Sequence, residues 1–201
     1  GILDKDLIPS NQADLYIKSG SDAISVLTEK DYFSGSNQDL SEVLKISKQK
    51  KIPVLQKDFI IDEYQIYEAK QIGADSILLI IRILSDENYI KFYNLAESLG
   101  LSVIVEIHNE EELDLALKAD INILGINNRN LDTLSTNLET FETLSSMVPK
   151  GIYKIAESGI RNSEDATRMI NSGANGLLVG ESIIKSKNIQ EIISDIASKN
   201  V

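Results

Sequence analysis

The sequence predicts an α/β protein built as a (βα)8 barrel. Three observations lead there. Short apolar runs rich in Ile, Val and Leu alternate with longer stretches of helical period along the whole chain. Several helical stretches stop at a glycine just ahead of the next apolar run, where a helix C-cap belongs. The count comes to eight helices and seven strands with a helix first, the pattern of a barrel whose first strand lies ahead of Gly1.

In chain order, the polar loop GILDKDLIPS leads into a helix over Ser10–Lys18, followed by the run AISVLT, Ala23–Thr28. A helix over Gln38–Lys50 precedes IPVLQKDF, Ile52–Phe59, and a helix over Asp62–Ile72 precedes ADSILLII, Ala74–Ile81. The helix Asp86–Leu99 leads to LSVIVEI, Leu101–Ile107, and Glu110–Ala119 leads to INILGIN, Ile121–Asn127. The last units are a helix over Leu138–Met147 with YKIAES, Tyr153–Ser158, then Ser163–Asn171 with GLLVGE, Gly176–Glu181, and a closing helix over Ile189–Ser198. Nearly continuous apolar strands of this kind are buried on both faces, as in a parallel sheet. Alternating βα units then leave either an open doubly wound sheet or a closed barrel, and eight helices favour the barrel.

Composition narrows the function. With 201 residues, 42% hydrophobic and 25% charged, the chain can bury a sizeable core, and residues 1–201 read as a single barrel domain, incomplete at its N-terminus. The absence of cysteine excludes disulfides and thiolate metal sites, and a lone histidine, His108, argues against a zinc cluster, so no metal is expected. A net charge of -11 repels phosphate backbones, and nucleic acid is not an expected partner. No apolar run approaches the roughly 20 residues of a membrane helix, and the opening residues do not read as a secretory signal, so no membrane partner and a cytoplasmic setting are expected.

Ligands of such barrels meet the C-terminal ends of the strands, and here those ends are polar: Lys57, Glu106, Asn127, Glu157 and Ser158. Burying one charge without a partner is costly, so several convergent polar groups suggest a site. Alternation supports this, because Leu55 shares a face with Lys57, Ile104 with Glu106, and Tyr153 and Ile155 with Glu157. The alternative for Lys57 is a lysine in a structural ion pair, since such pairs perturb charge without catalysing anything. His108 follows Glu106 by two and points towards the barrel mouth, but HNEEEL reads more simply as a polar helix start with Asn109 near the N-cap. The acidic run Glu110–Glu112 suits the positive end of a helix dipole. DYFSGS reads as a substrate-side loop or a plain connection.

The segments PVLQKDFIIDEYQIYEAKQIGADSILLI, VIVEIHNEEELDLAL, LGINNRNLDT, IAESGI, LLVGES and AISVLTEKDYFSGS, taken in order, resemble the indole-3-glycerol phosphate synthases over essentially the whole chain. The resemblance implies a (βα)8 barrel that closes a pyrrole ring on 1-(2-carboxyphenylamino)-1-deoxyribulose 5-phosphate. Carbon dioxide and water are released, and no metal or organic cofactor is used. It makes Lys57 the general acid for ring closure and Glu106 the acid-base partner in the later steps. Glu157 orients or stabilises the cationic intermediate, and Asn127 hydrogen-bonds the substrate. Phe59 walls the aromatic ring, Arg129 faces the anionic part of the substrate, and Ser158 contacts it. Gly159, Gly180, Glu181 and Ser182, on the loops after the last two strands, form the phosphate site. The implied partner is a phosphorylated small molecule, with room for other enzymes of tryptophan biosynthesis.

Two alternatives share part of these features. Phosphoribosylanthranilate isomerase has the same phosphate loops but would carry another acid-base pair in place of QKDF and VEIH, and a non-catalytic remnant of the synthase would keep the fold. The family form also has an N-terminal helix and a first strand, E-x-K-x-x-S-P-S-x-G, of which Gly1 matches the last glycine. Its lysine, glutamate and serine belong to the site. Residues 1–201 alone are therefore expected to be poorly stable and inactive, and adding a segment of the family form should restore cooperative unfolding and turnover together. Assay of both forms with one substrate checks this; a folded, active short chain would overturn the strand count.

Overall fold

The computed structural model describes residues 8–198. Its elements follow in the order α1 (Pro9–Lys18), β1 (Ile24–Leu27), α2 (Asn37–Lys50), β2 (Val54–Lys57), α3 (Glu63–Ile72) and β3 (Ser76–Ile80). A 3-10 turn at Ile81–Ile83 leads to α4 (Asp86–Ser98), β4 (Ser102–Ile107), α5 (Glu110–Ala116), β5 (Ile123–Asn127) and α6 (Glu139–Ser145). The remainder is β6 (Tyr153–Glu157), α7 (Ser163–Asn171), β7 (Gly176–Leu178), α8 (Glu181–Ile184) and α9 (Ile189–Ala197).

All strand pairs are parallel and neighbours in sequence are neighbours in the sheet, β1 through β7. The sheet curls into a nearly closed TIM barrel with the helices outside, as the alternation predicted. Across the gap between β1 and β7, α1 packs on α9, and the Ser194 hydroxyl reaches the Ser19 carbonyl at 3.5 Å. Gly1, matched above to the last glycine of a first strand, and the loop residues through Leu7 lie outside the described residues.

The helices start where short polar side chains replace the missing backbone partners of a first turn. Ser36, Ser85, Asn109, Asn162 and Asn188 each accept from the backbone N–H three residues on. Asp62 and Gln65 form a reciprocal capping box on α3. At the other end, Gly73 takes a left-handed conformation at φ 102°, one that any side chain would strain.

Inward and outward faces of the strands are sharply divided. Outward residues such as Val54, Ile77, Leu79, Val105, Leu124 and Ala156 join the helices in the main core. The barrel interior is a separate apolar cluster of Leu55, Leu78, Ile80 and Ile104, against which Phe59, Ile123, Ile155 and Leu178 pack. These inward residues form the floor beneath the polar strand ends.

The structure differs from the sequence reading at element ends. GLLVGE is not strand throughout: β7 stops at Leu178, and Glu181 opens the four-residue helix α8. The sequence Glu-Ser-Ile-Ile is too short to display a helical period, so it read as part of the connection. The apolar run ADSILLII likewise ends in the 3-10 turn. Leu79, fully buried between sheet and helices, gives a measure of the outer core: Leu79→Ala should cost about 2–5 kcal/mol in urea unfolding. A loss under about 1 kcal/mol would mean that this layer is loosely packed.

Candidate active site

Four strand ends bring four polar side chains into one hydrogen-bonded cluster. Lys57, last residue of β2, donates from Nζ to Glu106 Oε2 at 3.1 Å and to Glu157 Oε2 at 3.2 Å. Glu106 lies on β4 and Glu157 ends β6; their side chains are 2% and 1% exposed, against 23% for Lys57. Asn127, last residue of β5, donates from Nδ2 to Glu106 Oε1 at 3.0 Å. Its Oδ1 accepts from the Arg129 N–H, turning the chain into the next loop.

Parallel register explains why they meet. Glu106 is level with Ile80 on one side and Gly125 on the other, and Asn127 is level with Glu157. Gly125 leaves the room that this arrangement uses, because a Cβ there would displace Glu157 Oε1 from its present position. A glycine inside a strand is the sequence signal for such a close approach, and it went unread above.

The charges in this cluster are set by competition between burial and contact. Burial would lower the Lys57 ammonium, but Glu157 and Glu106 outweigh it and raise it above the usual lysine range. Burial would raise Glu106, yet Lys57, His108 and Asn127 hold it below the ordinary carboxylate range. For Glu157, burial wins over the pull of Lys57, and the Glu106 charge adds to the rise, to about 7. A single donor for two oxygens fits that direction: Glu157 Oε1 is buried and has no hydrogen-bond partner.

His108, which the sequence alone assigned to a polar helix start, stands against this cluster. Its Nε2 is 3.2 Å from Glu106 Oε1 and its Nδ1 is 3.0 Å from Glu112 Oε2, and its side chain is 5% exposed. Burial would lower its pKa, but Glu106 and Glu112 raise it to about 9. Asn109 does cap α5, so that part of the sequence reading stands; the two-residue spacing of His108 from Glu106, which also pointed to the barrel mouth, was the signal of this contact.

The remaining predicted residues surround the mouth. Phe59 follows β2 and packs edge-to-face with Tyr32 and at a tilt with Phe33, both from the DYFSGS loop, at centroid distances of 6.3 and 6.2 Å. It makes no bond to the charged cluster in which Lys57 sits. Arg129 donates to the Leu134 carbonyl at 2.9 Å and pairs with Glu181 at 2.8 Å, linking the loop after β5 to α8. Glu181 also pairs with Lys185, so its carboxylate is turned to two cations. Ser158 and Gly159 are both left-handed, at φ 63° and 81°, and make a sharp turn after β6. Ser182 donates to the Ile160 carbonyl at 2.8 Å, which ties α8 to that turn, and Gly180 has open space where a Cβ would project.

One buried residue here carried no sequence signal. Asn128 donates to the Ser158 carbonyl at 3.1 Å and accepts from the Phe141 N–H at 3.0 Å, pinning the left-handed turn to the start of α6. Among the described residues, no group of three or more His, Asp or Glu side chains is placed to hold a metal.

Comparison with known proteins places the chain in context. The family model for indole-3-glycerol phosphate synthase matches residues 1–196. An indole-3-glycerol phosphate synthase of Thermoanaerobacter sp. (strain X514) is 43% identical over 199 residues, 99% of this chain and 75% of that one. One from Clostridium kluyveri is 44% identical over 203 residues, 98% of this chain and 76% of that one. Among solved structures, a thiamine phosphate pyrophosphorylase from Pyrococcus furiosus aligns with a TM-score of 0.73 at 16% identity, over 94% of this chain and 87% of that one. At that identity the likeness speaks for the fold alone.

Two of the raised groups, His108 and Glu157, give stability a direction with pH below 10. His108 holds its proton more tightly folded than at its ordinary 6.5, so its contribution is complete below about 6.5 and is lost as pH climbs through about 9. Glu157, raised from 4.5 to about 7, acts with the same sign, and its share is lost between those values. Glu106 acts oppositely, and its share is lost as acid protonates it below 4.5. Thermal unfolding should therefore show a maximum on the acid side of neutral and a falling Tm from pH 6.5 to 9; a Tm rising over that window would contradict the charge assignment.

Proposed function

The chain belongs to the indole-3-glycerol phosphate synthase family, and we propose how its residues divide the work of that reaction. The enzyme converts 1-(2-carboxyphenylamino)-1-deoxyribulose 5-phosphate to indole-3-glycerol phosphate, a carboxy-lyase step of tryptophan biosynthesis. The observation that carries the assignment is the Lys57 ammonium held between Glu106 and Glu157 at the mouth of the barrel.

Ring closure joins the carboxyl-bearing aromatic carbon to the ketone carbon, and the ketone oxygen must take up a proton. Lys57 supplies it. Clamped by two carboxylates the ammonium is a poor acid, so the substrate has to replace one of those contacts before donation becomes favourable. The bond to the carboxyl group then breaks, carbon dioxide leaves, and the electron pair returns to the ring. Glu157 stabilises the positive charge carried meanwhile on nitrogen. Dehydration requires a proton for the departing hydroxyl and removal of a proton from the neighbouring methylene. Glu106 is the acid-base group for this step, and Asn127 hydrogen-bonds the substrate beside it. Groups so placed typically supply about 10²- to 10⁴-fold each.

Substrate binding uses the rest of the mouth. Phe59, with the aromatic rings of Tyr32 and Phe33, walls the anthranilate ring. Arg129 faces the anionic part, and Ser158 contacts the substrate from the turn after β6. The N–H groups around Gly159 and from Gly180, Glu181 and Ser182 take the phosphate; Glu181 serves through its backbone, since its carboxylate is paired elsewhere. We assign this work to one barrel domain acting in the cytoplasm, with no nucleic-acid or membrane partner, no metal and no organic cofactor, and with other tryptophan-pathway enzymes as candidate partners. No helix among the described residues is long and apolar enough to cross a membrane.

Indole fluorescence tests the roles. Lys57→Met should lower kcat by about 10²-fold or more while substrate still binds; near-normal turnover would exclude the acid role. Glu106→Gln should reduce kcat far more than it changes KM, and a change in KM alone would make Glu106 a binding group.

A further inference from the structure

His108 has no part in the assignments above, yet its imidazole lies between two carboxylates. On one side, Glu112 Oε2 accepts from the His108 backbone N–H at 2.7 Å and meets Nδ1 at 3.0 Å. Glu112 is itself fixed: Asn109 Nδ2 donates to its Oε1 at 3.1 Å, and its N–H donates to Asn109 Oδ1 at 2.8 Å. A carboxylate oxygen is an acceptor, so Nδ1 carries a hydrogen and the tautomer is set. On the other side, Nε2 is buried, makes no aligned hydrogen bond, and stands 3.2 Å from Glu106 Oε1. A bare nitrogen lone pair facing a carboxylate oxygen is repulsive, whereas a proton between the two makes the contact attractive.

The other groups around the imidazole leave that proton in place. From β2, Lys57 occupies the far oxygen of Glu106, and from β5, Asn127 donates to the near one. From β6, Glu157 adds negative charge to the cluster. On the side of the 3-10 turn, Arg82 feels Glu112 at longer range but is hydrogen-bonded to Asp132 at 2.7 Å. Glu106 Oε1 is thus held by Asn127 and His108, and Oε2 by Lys57 alone.

We propose that His108, fixed by Glu112, is a positioning residue that holds Glu106 ionised and oriented with Oε2 towards the substrate. This rests on Glu106 being the acid-base group of the reaction. The contact acts through Glu106 and needs no touch of His108 on substrate.

The chain contains one histidine, so the imidazole can be followed by ¹⁵N NMR without assignment. In the unaltered protein Nδ1 should stay protonated, and the imidazolium should persist above pH 8, in keeping with its rise to about 9. In Glu106→Gln and in Glu112→Gln the titration should move down by about one pH unit or more. In turnover, His108→Gln and Glu112→Gln should lower kcat about 10- to 100-fold with little change in KM, and should move the acidic limb of kcat/KM upward by about one pH unit. A neutral imidazole at pH 7 with no hydrogen on Nε2, or unchanged pH profiles in both variants, overturns the proposal. If His108→Gln does not fold, Glu112→Gln, which keeps the imidazole, decides by the same two measurements. Active Glu106→Gln would sink the role of Glu106 and this proposal with it; inactive Glu106→Gln beside normal profiles for the other two would sink the positioning role alone.

Discussion

A half-buried cation held between two buried carboxylates governs the centre of this barrel. Taking three charges out of water is expensive, and their mutual attraction repays the cost only when geometry is good and the remaining oxygens are satisfied. Here one ammonium faces two carboxylates, an excess of one negative charge. The excess is relieved at two points: Glu157 is pushed up to about 7, and His108, raised to about 9, brings a second cation against Glu106. The two glutamates are therefore unlike although they share a lysine. Glu106 has Lys57, Asn127 and His108 around it, whereas Glu157 has Lys57 alone and one orphaned oxygen. Environments that separate the pKa values of paired carboxyls allow them different chemical roles.

The barrel provides what this cluster needs. Each charged group sits at the end of a strand whose earlier inward residues are apolar, so Leu55 underlies Lys57, Ile104 underlies Glu106 and Ile155 underlies Glu157. The low-dielectric floor strengthens every interaction above it. At the level of Glu106 the neighbouring strands offer only Ile80 and Gly125, one a wall and the other a space, and the Glu157 carboxylate fills that space. The loops then lock the rim: Asn128 holds the turn at Ser158, Ser182 holds Ile160, and Arg129 joins the loop after β5 to α8.

What could be read from the sequence was what depends on local periodicity. The strands from β2 to β5 are apolar runs because both their faces are covered, and Gly73, Gly100 and Gly173 end helices at positive φ as their placement suggested. The polar strand ends Lys57, Glu106, Asn127 and Glu157 were legible because a charge at the end of an apolar run has few explanations other than convergence. The four residues of α8 were not legible, since one turn shows no period. His108 was misjudged for a related reason. Asn109 and Glu112 satisfy a local capping pattern, and a local explanation hid the contact across to Glu106. Asn128 was invisible, because its partners Ser158 and Phe141 are 30 and 13 residues away and only the fold brings them near.

Overall charge and local chemistry point in opposite directions in this chain. At -11 the molecule as a whole repels a phosphorylated, carboxylated substrate, although screening confines that repulsion to about 8 Å at physiological ionic strength. Attraction must come from groups at the mouth, and among the described residues Lys57 is bound to Glu106 and Glu157, and Arg129 to Glu181. On the roles proposed, an arriving anion does not meet bare positive charge. It replaces a protein carboxylate as partner of a cation already in place, and the released carboxylate turns to solvent in the case of Glu181 or towards the substrate nitrogen that becomes cationic in the case of Glu157. Such an exchange keeps the number of paired charges constant, so neither the empty nor the occupied site carries an uncompensated buried ion, and the desolvation penalty of each cation is met once, when the chain folds.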